Sequence, residues 1–425
     1  MALLIGVFLF FLLLNMPIAF ALATAPLVVL LVTQKLPLLV LTQQMFIGLD
    51  SFVFLAVPFF ILAGNLMIEG GISQKLINAS AALLDRLTGG LAMAVSFASM
   101  IFASLSGSGP ATTAAIGGPT LPELTKRGYG REWSVALIAC TGTIGPIIPP
   151  SITMVIYGAM ANVSIGALFL AGIVPGVMIG AALMIMSYFH AKKVGVKPEI
   201  EQTDWKEVFK KFKDASWAFG MPLVILGGIL GGIFTPTEAA VVSVVYALIV
   251  GFFIYHTLTI AVLPKIFKDT AVTTAVVMII LANAAGFAWL VSAERGPQQL
   301  IALFQSVTEN KYIILLMINA FLFVLGCVMD TTSAMVMTVP ALLPLAQAVG
   351  IDPLHLGLIV TINLVIGMAT PPLGLTLFTA CSVGKTSIAQ VTRHILPMLA
   401  VMAITVLIIT YFPGLVLWAP KLLMK

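Results

Sequence analysis

Apolar runs long enough to cross a bilayer recur from one end of this chain to the other, and few charges interrupt them. Charged residues make up 9 % of the 425, against roughly 25 % in an ordinary soluble domain. A soluble globule is excluded, and so is disorder, which needs many charges and little apolar surface. The bilayer is the solvent, and the fold class that follows is an all-α polytopic membrane protein. A net charge of +5 spread along apolar sequence is no nucleic-acid footprint. Cys140, Cys327 and Cys381 are odd in number and lie in apolar segments, which gives no disulfide framework. Met1 to Leu14 has no basic leading region, so it is expected to be a mature first helix and not a signal peptide.

Twelve of the 37 charged residues fall between Lys192 and Asp214. This solvated linker divides the chain into residues 1–190, 191–216 and 217–425. Within it Trp205, Val208, Phe209, Phe212 and Trp217 recur at helical spacing among lysines, which predicts an amphipathic helix over Trp205 to Phe219 lying on the membrane surface; the alternative is a solvated connector helix. The two flanking parts repeat each other. Pro122 and Pro344, Gly128 and Gly350, Gly145 and Gly367, and Pro149 and Pro371 are each 222 residues apart. Each half is predicted to hold two helices around a proline (Pro17, Pro236) and a third helix (Phe46 to Ile68, Val272 to Val291). A short amphipathic piece, a re-entrant hairpin (91–125, 312–348), a proline-broken helix (133–160, 356–381) and a closing helix follow. Five crossings per half would insert the second half upside down, as in inverted-repeat transporters. Placing both termini outside puts 16 Lys and Arg on the cytoplasmic side and 5 outside, which supports that topology and a cytoplasmic linker.

The first hairpin is expected to pass from a limb over Leu91 to Ser104 into a Ser-Gly-Ser-Gly-Pro tip and back. Fourteen residues rise about 21 Å, short of a hydrocarbon core of about 30 Å. Such a tip cannot face lipid and must line protein or a wet cavity. In the second copy a limb over Tyr312 to Val324 leads to a tip that carries Asp330 where the first carries Ser108. Asp330 is the one acid deep in an apolar segment, and such residues are functional by default. It can also cap the returning limb through the amide of Thr332 or Ser333. Prolines 146, 149 and 150, and 371 and 372, remove amide donors from the broken helices. The carbonyls before them are thereby freed for a cation, while the helices restarting after Ser151 and Leu373 point positive ends at an anion. No zinc site, phosphate loop or catalytic serine with a base is present in the sequence, so no catalytic residue is assigned, no cofactor is expected, and an ion gradient is the expected driving force.

These elements, carried by Ser104 to Ala115, Gly142 to Ser151, Thr235 to Ala240, Asp330 to Thr332 and Gly367 to Gly374, resemble the large membrane (M) subunit of tripartite ATP-independent periplasmic (TRAP) transporters, in the ion transporter superfamily. The resemblance implies a Na+-driven importer of organic acids in the bacterial inner membrane, with an elevator-type transport domain moving against a scaffold. It implies two partners: a soluble periplasmic binding protein and a small four-helix Q subunit, expected as a separate chain because this one begins at the M part. Carried over by position, it implies one Na+ near Ser104, Ser106, Ser108, Gly145 and Pro146. A second would sit among Gly326, Asp330, Thr331, Thr332, Gly367, Thr370 and Pro371. The carboxylate cargo, a sialic acid or a C4-dicarboxylate, would lie near Ser106, Ser151, Asp330 and Thr376. The rival readings are a stand-alone Na+/dicarboxylate symporter of the same superfamily, an ion channel, and an intramembrane hydrolase that lacks a base near Ser106 or Ser108.

Overall fold

The computed structural model describes residues 2–14, 16–34, 36–199, 204–372 and 374–424, and these contain helices and no strand. Proline and glycine punctuation sets the opening elements: α1 (Ala2–Leu13), α2 (Ile18–Thr33), α3 (Leu38–Leu49), α4 (Ala56–Glu69) and α5 (Ile72–Leu84). The single helix expected over Phe46 to Ile68 is instead interrupted between α3 and α4. Asp50 and Ser51 leave the helical conformation, and one short 3-10 turn over Phe52–Leu55 restarts it. The first hairpin is α6 (Gly90–Ser106) and α7 (Gly109–Lys126); the first broken helix is α8 (Arg131–Gly142) and α9 (Ile152–Ala161); α10 (Ile165–Val194) closes the half.

The linker helix α11 (Trp205–Asp214) is capped by Asp204 and ends five residues before the expected Phe219, because the chain turns at Ala215 into α12 (Ser216–Leu230). Thr235 and Glu238 then form a reciprocal cap that starts α13 (Pro236–Ile249). The expected helix over Val272 to Val291 is longer, α14 (Leu263–Ala293), and is followed by α15 (Gly296–Val307). The second hairpin is α16 (Lys311–Val328) and α17 (Thr331–Ala348), the second broken helix α18 (Pro353–Gly367) and α19 (Leu375–Gly384), and α20 (Ile388–Tyr411) and α21 (Gly414–Leu423) end the chain. At the 222-residue spacing α7 and α17 coincide residue for residue.

Both hairpin tips are shorter than expected. Helix α6 continues through Ser106 and α16 through Val328, so each tip is two residues, Gly107–Ser108 and Met329–Asp330. The limbs of 17 and 18 residues reach about 26 Å. Length alone therefore does not distinguish them from crossing helices. Among the described residues six helices are long and apolar enough to cross a membrane, and Lys311–Val328 is one of them. Ten crossings would draw on shorter apolar helices such as Ile18–Thr33 and Ser216–Leu230.

The packing interlocks the two halves. The returning limb α7 packs on its own α8 and on α19 of the other half, while α17 packs on its own α18 and on α9 of the other half. In a second group α2, α3 and α4 pack on α14, and α13 packs on α4. Helices α4 and α14 meet the hairpins where α4 touches α6 and α14 touches α17. That seam is where the candidate site lies.

Candidate functional site

The first tip is built by a glycine that no other residue could replace without strain. Gly107 has φ +58°, in the left-handed region, and a Cβ there would stand 2.5 Å from the Pro150 carbonyl oxygen. The chain then turns back so that the Ser106 hydroxyl lies 2.7 Å from the Thr112 hydroxyl. Thr112 Oγ1 in turn donates to the Ser108 carbonyl at 2.8 Å. Gly145 of the break fits against that carbonyl, since a Cβ on it would lie 2.6 Å from Ser108 O. Ser104 turns back into its own helix, donating to Ile101 O at 2.6 Å.

At the second tip Asp330 caps α17. Its carboxylate accepts from the Ser333 amide at 3.0 Å and from the Ser333 hydroxyl at 2.5 Å, in the manner of an N-cap. Behind it Gly326 and Gly367 approach backbone to backbone; a Cβ on Gly326 would lie 3.0 Å from Leu364 O. The Thr331 hydroxyl is buried and has no hydrogen-bond partner among the described residues.

The breaks differ from the expectation that the carbonyls before the prolines stand free. Gly145 N donates to Gly142 O at 3.1 Å and Thr370 N to Gly367 O at 2.9 Å, so the helix ends tighten and reuse those carbonyls. The next carbonyls are held by hydroxyls from the restarting helices. Ser151 Oγ donates to Pro146 O at 2.5 Å, and Thr376 Oγ1 donates to Met368 O at 2.8 Å. Pro146 and Met368 are 222 residues apart. The Pro149–Pro150 and Pro371–Pro372 peptide bonds are both cis.

Both tips and both restarting helices border one cavity of about 390 Å³ between the hairpins and α4 and α14. Four helix N-termini reach it: Gly109 to Ala111 of α7, Ile152 and Thr153 of α9, Thr331 and Thr332 of α17, and Leu375 of α19. Each N-terminus carries about half a positive charge. Among the described lining residues Asp330 is the one acid, and there is no Lys, Arg or His. The arrangement can attract an anion without a guanidinium and offers oxygens to a dehydrated cation.

Ser106, Ser108, Pro146, Asp330, Thr331 and Thr332 all line this cavity. Ser104, Gly145, Gly326, Gly367, Thr370 and Pro371 lie off it, toward the tips and breaks, with Thr370 Oγ1 bonded to Ile366 O at 3.1 Å. Ser151 and Thr376 are fully buried and occupied by break carbonyls, so they shape the site without lining it. Sequence reasoning missed Thr112 and the opposite wall, Gly64 and Asn65 of α4 and Thr273 of α14. A lone amide in an otherwise apolar run was the available signal for Asn65.

Residues 5–415 match the family described as Tripartite ATP-independent periplasmic transporter, DctM component. The chain belongs to that family. This DctM-family chain is 41 % identical, over 97 % of its length, to the isethionate TRAP transporter permease protein DctMQ of Oleidesulfovibrio alaskensis, of which it spans 65 %, a little under two thirds. It is 40 % identical to the sialic acid TRAP transporter large permease protein SiaM of Vibrio cholerae, with 89 % of this chain and 88 % of that one covered. It is 41 % identical to the C4-dicarboxylate TRAP transporter large permease protein DctM of the same organism, with 88 % and 86 % covered. Among solved structures the YdaH transporter of Alcanivorax borkumensis aligns with a TM-score of 0.59 at 14 % identity, covering 85 % of this chain and 86 % of that one, which is a likeness of fold.

Proposed function

We propose that the chain is the large permease of a secondary importer of an organic acid, of the sialic acid or C4-dicarboxylate class, with Na+ as the coupling ion. The observation that carries this reading is the convergence of two hairpin tips and two broken helices on one cavity that holds four helix N-termini and a single acid. A carboxylate would be drawn to the N-termini, and the polar atoms near Asp330 suit a cation. The orphaned Thr331 hydroxyl fits such a role. Bound Na+ would offset the Asp330 charge, so cargo would bind well only with Na+ present.

In this reading the two halves are inverted in the membrane, the linker faces the cytoplasm and both termini face the periplasm of a bacterial inner membrane. The hairpins and broken helices slide as one body past the scaffold. The cargo arrives from a soluble periplasmic binding protein, and a small membrane subunit completes the permease. The names of the relatives support this division of labour.

The test is Na+-driven uptake in proteoliposomes. Asp330→Ala and Ser106→Ala should each abolish uptake while the protein stays folded, and full uptake by both would overturn the site.

A further inference from the structure

The wall of the cavity that faces the hairpin tips is supplied by α4 and α14, and its polar groups are the side chains of Asn65 and Thr273. Helix α4 reads AVPFFILAGNLMIE, so Asn65 is the one amide in an apolar run. Of the intramembrane asparagines elsewhere in this chain, Asn319 finds protein partners for both ends of its amide, while Asn283 Nδ2 reaches the Ala19 carbonyl at 2.9 Å, away from the cavity. Asn319 and Asn363 bond to each other at 2.7 Å, Asn319 Oδ1 also accepts from Thr410, and both Nδ2 groups reach backbone carbonyls. Asn65 is different. One N–H donates to Thr270 Oγ1 at 2.9 Å across the α4–α14 seam. Its Oδ1 has no protein partner among the described residues, and the residue is half-buried at the cavity. Beside it Gly64 lies close against the first tip, where a Cβ would be 3.3 Å from the Ser106 carbonyl. The amide is therefore oriented by Thr270 and placed opposite the four helix N-termini.

We infer that Asn65 positions the cargo by hydrogen bonding to a neutral polar group, a hydroxyl or an amide, at the end away from the anionic group. The inference rests on the transport reading above. The second Nδ2 proton and the unpartnered Oδ1 offer a donor and an acceptor together, which matches a hydroxyl or another amide; a second carboxylate could accept from that N–H but has no proton to give Oδ1 and would face it with like charge. Cargo would then lie across the cavity, its anion toward the α7, α9, α17 and α19 N-termini and its neutral polar group toward α4. The chemistry selected is a hydroxyl- or amide-bearing organic anion in preference to an unsubstituted dicarboxylate.

The test is uptake by the full chain, with its membrane and periplasmic partners, using isethionate, N-acetylneuraminate and succinate as probes. The wild type should accumulate isethionate or N-acetylneuraminate. Asn65→Leu should raise the KM for that probe about tenfold, the factor that one hydrogen bond to a polar group carries, with Vmax and melting temperature held. Asn65→Gln should recover part of the loss, and it serves as the second variant if Leu folds poorly. An unchanged KM in both variants, or a loss confined to melting temperature and Vmax, overturns the inference and leaves the transport reading standing. Accumulation of succinate alone does the same. Accumulation of none of the three by the wild type overturns both.

Discussion

The backbone of Gly145 lies directly against the Ser108 carbonyl, close enough that a methyl group on Gly145 would stand 2.6 Å from that oxygen and 2.7 Å from the Thr112 hydroxyl. The contact joins the first hairpin tip to its broken helix with no side chain between them. Gly145→Ala must push the tip away, at a cost of about 1–3 kcal/mol for overpacking. Uptake should fall several-fold, and the melting temperature should drop by a few degrees, measured on the purified protein. A fully active, equally stable Gly145→Ala would show that the tip is free to shift.

A second relationship ties the linker to the base of the same hairpin. Arg127 pairs with Asp85 and Glu123 at 3.1 Å each and also with Glu199, whose amide reaches Asp85 O at 3.3 Å. The second half has Leu345 and Val349 where the first has Glu123 and Arg127. Arg127→Met leaves the buried Asp85 without its cation and should destabilise the protein by about 3 kcal/mol near neutral pH, measured by thermal melting.

The pH dependence of that deficit has a definite sign. Burial, opposed by Arg127, holds the Asp85 carboxyl above its ordinary 3.8. The folded chain therefore binds this proton more readily than the unfolded one. The Asp85 contribution to stability is full below 3.8 and is lost as pH rises through the raised folded value. Relative to Asp85→Asn, the wild type should gain stability on acidification, and the Arg127→Met deficit should narrow as Asp85 takes up its proton. Melting curves across the mildly acidic range check both; a deficit that grows on acidification would contradict the assignment.

The Asn319–Asn363 pair fastens the outer limb of the second hairpin to α18, and Thr410 adds α20 at 3.2 Å. Asn363→Leu removes the donor but leaves Asn319 its Thr410 contact. A loss of about 1 kcal/mol is expected, seen in melting temperature, with the KM for cargo unchanged because neither asparagine lines the cavity.

Topology is open to chemical labelling. Lys197 is exposed, while Cys140 and Cys381 are buried and Cys327 is half-buried. A membrane-impermeant maleimide should label Lys197→Cys in inside-out vesicles and spare it in intact spheroplasts. The reverse pattern would invert the orientation drawn from the Lys and Arg distribution.

The sequence by itself determined the class and the repeat. Charge scarcity placed the chain in a bilayer, continuous apolar runs of helical length made its spans helices, and the 222-residue register located both tips and both breaks to within a few residues. It also exposed Asp330, because an acid in an apolar run is costly in a bilayer and stands out even where it caps a helix. Tertiary structure decided everything that depends on which surfaces meet. Tip length was set by Gly107 and by the Asp330 cap, which let helices persist closer to the turn than composition suggested. Ser151 and Thr376 look like free ligands in sequence, yet their hydroxyls are taken by the Pro146 and Met368 carbonyls that the breaks expose. Asn65 and the Asp85–Arg127–Glu199 cluster join residues far apart in the chain, and no period or motif records such pairs. Periodicity reports what one element does alone; a cavity, and a buried charge with its partner, come into being only where elements pack.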